Sequence, residues 1–208
     1  KLWDPRAHDP LSGSCELKGK VFSMSLSGNK AVIATSDRHV LIFDTRKLSE
    51  PEQDRSSSLP HQLRVVRCFT NGTGYAVGSI EGRVAIEYFD KDPEVQRKKY
   101  AFKCHRKNVG GQQFLYPVNA LAFHPKYGTF ASGGCDGRVS VWDGFAKKRI
   151  CQYPAYDTSI AYLDFNFDGT LLAIAQSYTF EELERDHPRD AIFIKRVEDQ
   201  ECKNRVVQ

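Results

Sequence analysis

The residues of this 208-residue chain best placed to do chemistry lie in one run, RKKYAFKCHRK, from Arg97 to Lys107, in which six of eleven residues are Lys or Arg. Such a cluster attracts anions, but its first residues also fit a simpler role. Arg97, Lys98 and Lys99 read equally well as a solvated edge strand that uses charge to discourage pairing with other strands. Further along, Phe102 and Cys104 alternate with Lys103 and His105, which gives the strand one apolar face, and Arg106 falls where the strand must give way to a loop. Two more arginines follow acidic-Gly turns, Arg83 after Glu81-Gly82 and Arg138 after Asp136-Gly137. On position alone, neither is distinguished from an arginine that caps its turn in solvent. Reaction chemistry is not expected: no GxSxG, HExxH, P-loop or GxGxxG pattern occurs, and no catalytic residue or cofactor is assigned. Asp164 and Asp168, in YLDFNFDGT, do not make a metal site, because the second belongs to a turn and one turn Asp is seldom a ligand set.

The elements that must position these residues repeat along the chain. Four segments align on a turn and the strand after it: AVIATSDRHVLIFDTR, YAVGSIEGRVAIEYFD, FASGGCDGRVSVWDG and, with an insertion, LLAIAQSY…DAIFIKRV. The opening KLWDPR is a fifth copy of the final strand alone. Equivalent strand ends fall at Asp4, Asp44, Tyr88, Asp143 and Lys195, which are 40, 44, 55 and 52 residues apart. Each unit reads as three short strands with alternating apolar positions followed by a more polar fourth, as in VNALAFHP, GTFASGG, GRVSVWDG and KKRICQYP. Asp136-Gly137 and Glu81-Gly82 predict two-residue hairpin turns, since Gly tolerates positive φ.

A period of 40–45 residues with four strands and a terminal Trp-Asp is the sequence form of a WD-repeat β-propeller blade, so the fold class is all-β, part of a propeller ring that needs more blades than these to close. The chain divides into one partial propeller domain: the end of a truncated blade at 1–17, blades at 18–60, 61–105 and 106–153, and a last blade with its C-terminal tail at 154–208. A Trp on the third strand fills the gap between blades while its indole N–H reaches a hydroxyl on the second. In the third unit this predicts a structural network of Trp142, Ser132, Asp136 and His105, which makes His105 a buried hydrogen-bonding residue and not a catalytic base.

Composition fits this reading. Hydrophobic residues make up 40% and aromatics 12%, as expected of packed β-structure. No apolar run approaches the roughly 20 residues of a membrane helix, so a soluble protein with no membrane partner is expected. Six cysteines without a CxxC pair suggest reduced thiols of a cytosolic or nuclear protein. The chain opens at Lys1 inside a strand, with no initiator Met and no leader, and is expected to be a fragment whose missing blades precede Lys1.

Several segments together carry a likeness: KLWDPR, SIEGRVAIEYFD, PEVQRKKYAFKCHR, YPVNALAFHPKYGTFASGGCDG, KKRICQY and TSIAYLDFNFDGTLLAIAQSYTFEE. From Lys1 to about Val197 the chain resembles the mitotic spindle-assembly checkpoint WD-repeat family, the third of the budding-uninhibited-by-benzimidazole proteins. Its relative, the Rae-type mRNA-export factor of the nuclear pore, shares EGRVAI, FKCHR and AFHP, and supplies the alternative reading. The resemblance implies a seven-bladed propeller acting as a non-catalytic adaptor, nuclear and at kinetochores in mitosis, that binds an acidic segment of checkpoint kinases or kinase-like proteins. It also implies docking on phosphorylated Met-Glu-Leu-Thr motifs of the kinetochore scaffold. A phosphothreonine carries nearly two negative charges, so an Arg fork plus a second cation is its expected host. By resemblance, Arg106 matches the phosphate-contacting arginine and Lys126 lies close to its lysine partner. Arg83 resembles the residue that meets glutamates of the kinase segment, with Tyr116, and also Tyr178, as aromatic floor. Nucleic acid is not the expected partner, although the basic and aromatic interleaving around Tyr100 is compatible with RNA.

Overall fold

Nineteen strands and two helices of a single turn make up residues 1–204, which the computed structural model describes; residues 205–208 of the assigned last unit lie outside the described residues. The opening segment forms only a short ribbon, β1 (Leu2–Trp3) with β2 (Leu11–Gly13). Three four-stranded antiparallel meanders follow. The first is β3 (Val21–Ser27), β4 (Lys30–Thr35), β5 (His39–Asp44) and β6 (Gln53–Ser56). The second is β7 (Leu63–Cys68), β8 (Gly74–Ser79), β9 (Arg83–Tyr88) and, after helix α1 (Pro93–Gln96), β10 (Tyr100–Lys103). A separate hairpin, β11 (Arg106–Val109) with β12 (Gln112–Leu115), leads into the third: β13 (Val118–Phe123), β14 (Phe130–Gly134), β15 (Val139–Asp143) and β16 (Lys148–Gln152).

The last sheet differs from the predicted four strands. It has three, β17 (Ile160–Phe165), β18 (Leu171–Gln176) and β19 (Ala191–Arg196), after which the chain turns into helix α2 (Asp199–Cys202). That helix is held against the third sheet, where Thr129 Oγ1 donates to the Cys202 carbonyl at 2.7 Å and Cys202 is fully buried.

Sheets pack face to face in chain order, the arrangement of propeller blades. Alternation places one row of each strand in the joint: Val32, Val40 and Ile42 of the first sheet meet Leu63, Val66 and Val77 of the second. Leu121 and Phe130 of the third meet Val84 and Ile86 of the second, and Ile160, Leu163 and Ile174 of the fourth meet Val139 and Val141 of the third. The innermost strands leave one edge unpaired, and side chains serve it. Ser23 and Ser25 of β3 accept from the Val66 and Cys68 amides of β7 at 3.0 and 2.9 Å, which satisfies donors that would otherwise be buried without partners. The first and last sheets are not hydrogen-bonded to each other. All six cysteines are free thiols, and burial pushes Cys104 and Cys202 up to about 12.

The Asp136-Gly137 turn is longer than the predicted two residues. Gly137 N donates to Gly134 O at 3.1 Å and Gly134 N to Arg138 O at 3.4 Å, so the loop is Cys135, Asp136 and Gly137. Only the glycine has positive φ, +68°, as in a type I turn followed by a left-handed residue. The two-residue form needs a left-handed backbone at its first position too, and Asp136 is not in it.

Candidate functional site

Where β10 ends, the chain passes under the turn of its own sheet. Cys104 N donates to Gly82 O at 2.9 Å, and a Cβ at Gly82 would stand 2.3 Å from His105 O and 3.0 Å from Tyr116 O. Only glycine permits that approach, and its φ of +65° suits it. The approach fixes His105 at the base of the β11–β12 hairpin, which Tyr116 N closes by donating to His105 O at 3.0 Å.

From there the His105 ring enters the third sheet. Its Nδ1 lies 2.8 Å from Asp136 Oδ1 and its Nε2 2.9 Å from Ser132 Oγ, while Trp142 Nε1 donates to the same Ser132 Oγ at 2.9 Å. One proton arrangement satisfies every group: the indole donates to the hydroxyl, the hydroxyl to Nε2, and Nδ1–H to the carboxylate. The Asp-His-Ser order is that of a hydrolytic triad. Its chemistry is blocked, because Ser132 is fully buried, its lone pair already takes the indole proton, and no substrate carbonyl can approach it. What the network does is tie the hairpin base to β14, β15 and the turn between them. Trp142 meanwhile packs on Phe102 of the preceding sheet at 4.7 Å between ring centroids.

Three of the residues predicted to bind peptide are brought together at this junction. Half-buried Arg106 donates from one Nη to Gln113 Oε1 at 2.9 Å and from the other to Glu81 O at 3.0 Å, and its Nε is buried without a partner. All its acceptors are neutral, so its charge is uncancelled. Arg83 differs: its Nε lies 3.2 Å from Glu81 Oε1, an ion pair without hydrogen-bond alignment, and His61 Nε2 stands 3.7 Å from the other oxygen of Glu81. An acidic ligand at Arg83 would share it with an internal carboxylate. Tyr116 is half-buried beside both.

Lys126 is not brought to them. Arg106 and Tyr116 stand before the start of β13, whereas Lys126 lies in the turn beyond its end, its Nζ 5.2 Å from the Tyr127 ring centre. Six strand residues at about 3.3 Å each put some 20 Å between the two ends. The pairing that the resemblance implies is therefore not made within this chain, because successive turns of a meander lie at opposite ends of its strands. Arg138 lies in the turn of the third sheet beside Asp136, and no carboxylate comes within ion-pair distance of it among the described residues. Tyr178 is core, its hydroxyl donating to Leu183 O at 2.9 Å and accepting from Glu182 N at 3.0 Å. Asp168 caps its own turn through Thr170, and no cluster of metal-ligating residues occurs among the described residues.

An open groove of about 1020 Å³ runs over this surface. In sheet order it passes from the hairpin (Arg106, Lys107, Tyr116) across the turn of the third sheet (Asp136, Arg138) to the β18–β19 loop of the fourth (Glu181, Glu182, Arg185). It is open and crosses from the hairpin to the fourth sheet, a shape that suits a length of peptide. Sequence reasoning missed two of its parts. The hairpin is announced by Gly110-Gly111, with φ of +56° and +82°, the pair a tight turn of two left-handed residues requires. The charge bias extends well past the basic run: from Val95 to Cys135 there are seven Lys and Arg and no Asp or Glu. The β18–β19 loop carried no motif.

Comparison with known proteins agrees with the architecture. Residues 97–143 match the WD domain, G-beta repeat family. Over 98% of its length the chain is 56% identical to the mitotic checkpoint protein BUB3.1 of Arabidopsis thaliana, and over 95% it is 51% identical to the mitotic checkpoint protein bub3 of Dictyostelium discoideum, covering 61% and 60% of those proteins. It thus spans about three-fifths of the length of these curated relatives. The mRNA export factor GLE2 of Chaetomium thermophilum is 40% identical over 86% of the chain and 49% of its own length. Among solved structures, the computationally designed Ika4 protein shares the fold, with a TM-score of 0.60 at 13% identity over 95% of this chain and 98% of that one. By these similarities the chain belongs to the WD-repeat proteins and, among them, to the family of the mitotic checkpoint proteins named bub3.

Proposed function

We propose that the chain is the part of a non-catalytic spindle-checkpoint adaptor that docks an acidic, phosphorylated segment of a kinetochore protein on the groove beside Arg106. The uncancelled charge of Arg106, held by neutral acceptors at the mouth of a peptide-sized groove, carries this reading. Lys107 and Arg138 line the same groove without a carboxylate partner among the described residues, and would supply the second cation that the resemblance places at Lys126. Arg83 and Tyr116 would meet an acidic segment of a checkpoint kinase at the adjoining turn, in competition with Glu81. The relatives named mitotic checkpoint proteins support the cellular setting.

The test is calorimetric titration of the whole protein containing this chain with a Met-Glu-Leu-Thr peptide, phosphorylated and not. Binding is expected only with phosphate. A charged hydrogen bond contributes about 1.5–3 kcal/mol, so Arg106→Ala should weaken it roughly tenfold to hundredfold. Equal binding of both peptides overturns the reading. Salt-sensitive binding of RNA at this groove, with no peptide bound, would instead favour an export role.

A further inference from the structure

The groove is not uniformly basic. Of the carboxylates that line it, Asp136 is held by His105 and Glu182 pairs with Arg185. Glu181 is different: it accepts from the hydroxyls of Ser159 and Thr179, which leave its charge uncancelled. Burial pushes its carboxyl up, but these hydroxyls together with backbone hydrogen bonds outweigh burial and hold it below the usual carboxylate range, so it is ionised at neutral pH. Asp157, exposed on the same lining, has no cation within ion-pair distance among the described residues. Along the groove, then, the hairpin end offers Arg106 and Lys107 with no acid, the turn between carries Arg138, and the end at the fourth sheet offers the uncancelled carboxylates of Glu181 and Asp157.

We infer that the groove takes a peptide of two signs, with its phosphorylated or acidic residue at the hairpin and a Lys or Arg further along the same peptide at Glu181 and Asp157. The inference rests on the docking reading above and adds to it a direction and a sequence preference. A peptide acidic throughout would bring like charges together at Glu181, while one with a distal cation would find an ion pair there. The acidic end thereby fixes which way round the peptide lies, which a purely basic groove could not do.

The experiment uses the whole protein and a peptide series that shares one phosphothreonine core. Single Lys, Gln or Glu residues are placed at successive positions on either side of the core. At one or two neighbouring positions on one side, Lys should bind about threefold to tenfold more tightly than Glu. Glu181→Gln should narrow that difference to under about twofold, and Glu181→Lys should invert it. Asp157→Asn, at an exposed site, serves as the second variant if Glu181 substitutions fail to fold. If the bare core binds but no position distinguishes Lys from Glu, or if the preference survives in both neutralised variants, the inference is wrong and the docking reading stands. If the bare core does not bind at all, both are wrong.

Discussion

Ser132 is the residue on which the third sheet's polar network turns, because its one hydroxyl serves two buried groups. Ser132→Ala would leave the Trp142 indole N–H and His105 Nε2 unpaired in the joint between sheets. Each unsatisfied buried group costs about 1–3 kcal/mol, so a drop in melting temperature of several degrees is expected. A structural network makes a second demand: peptide affinity measured well below the transition should stay close to that of the unsubstituted protein, and a large loss of affinity at full folding would contradict it. His124 gives a different kind of residue-level prediction. Its ring is 3% exposed, and Nδ1 accepts from the Lys126 and Tyr127 amides at 3.2 and 3.3 Å, so that nitrogen has no proton. Burial holds its pKa below the ordinary 6.5. The unfolded chain therefore takes up the proton first as pH falls. His124 contributes stability that is present above pH 6.5 and lost as the pH falls through the depressed folded value. Urea midpoints should decline from pH 7.5 to 5.5, and His124→Gln should flatten the decline; identical slopes in the two proteins would refute the assignment.

Among the elements, the β11–β12 hairpin is the one whose stability is separable from the rest. It has two strands with no third, an arrangement that is marginal in water, and it depends on Gly110 and Gly111 in left-handed backbone. A Cβ at either position would meet nothing within 4 Å, so Ala there is opposed only by backbone strain, about 1–2 kcal/mol per residue. In Gly110→Ala/Gly111→Ala, amide exchange over Arg106–Leu115 should accelerate and phosphopeptide affinity should fall, while the melting temperature stays within a few degrees. Unchanged exchange would mean that the sheets, and not the turn, hold the hairpin. The same hairpin marks the limit of what the sequence reveals. Short apolar runs in VNALAFHP and GRVSVWDG give the strands, and the sheets on either side bury both faces of each. Their register then brings Trp142, Ser132, Asp136 and His105 together. Repeat logic has no place for an element outside the repeat, so Gly110-Gly111 goes unread between units. The pairing of Lys126 with Arg106 comes from the family resemblance, and the fold sets the two at opposite ends of β13.

At the scale of the molecule, the middle sheets differ from those at the two ends. The inner strands β7 and β13 bury Leu63, Val65 and Val66, and Val118, Ala120 and Leu121, because a neighbouring sheet covers them on each side. The first sheet instead leaves Val21, Met24 and Leu26 of β3 between 52% and 62% exposed. The fourth leaves Ile192 and Ile194 of β19 at 74% and 62%, on a strand whose outer edge is unpaired. Two residues apart on one strand, these isoleucines share a face. An apolar row on an unpaired edge is a template for another strand. The 208-residue chain alone should accordingly self-associate at micromolar to millimolar concentration, the range in which exposed apolar surface and unpaired strand edges drive association. Ile192→Lys with Ile194→Lys should shift it towards monomer, since charge on an edge opposes pairing and neither side chain belongs to the buried core. Sedimentation velocity distinguishes the outcomes. A chain that stays monomeric throughout that range would overturn the expectation, and a double variant that associates as strongly as the unsubstituted chain would move the contact to the apolar row of β3.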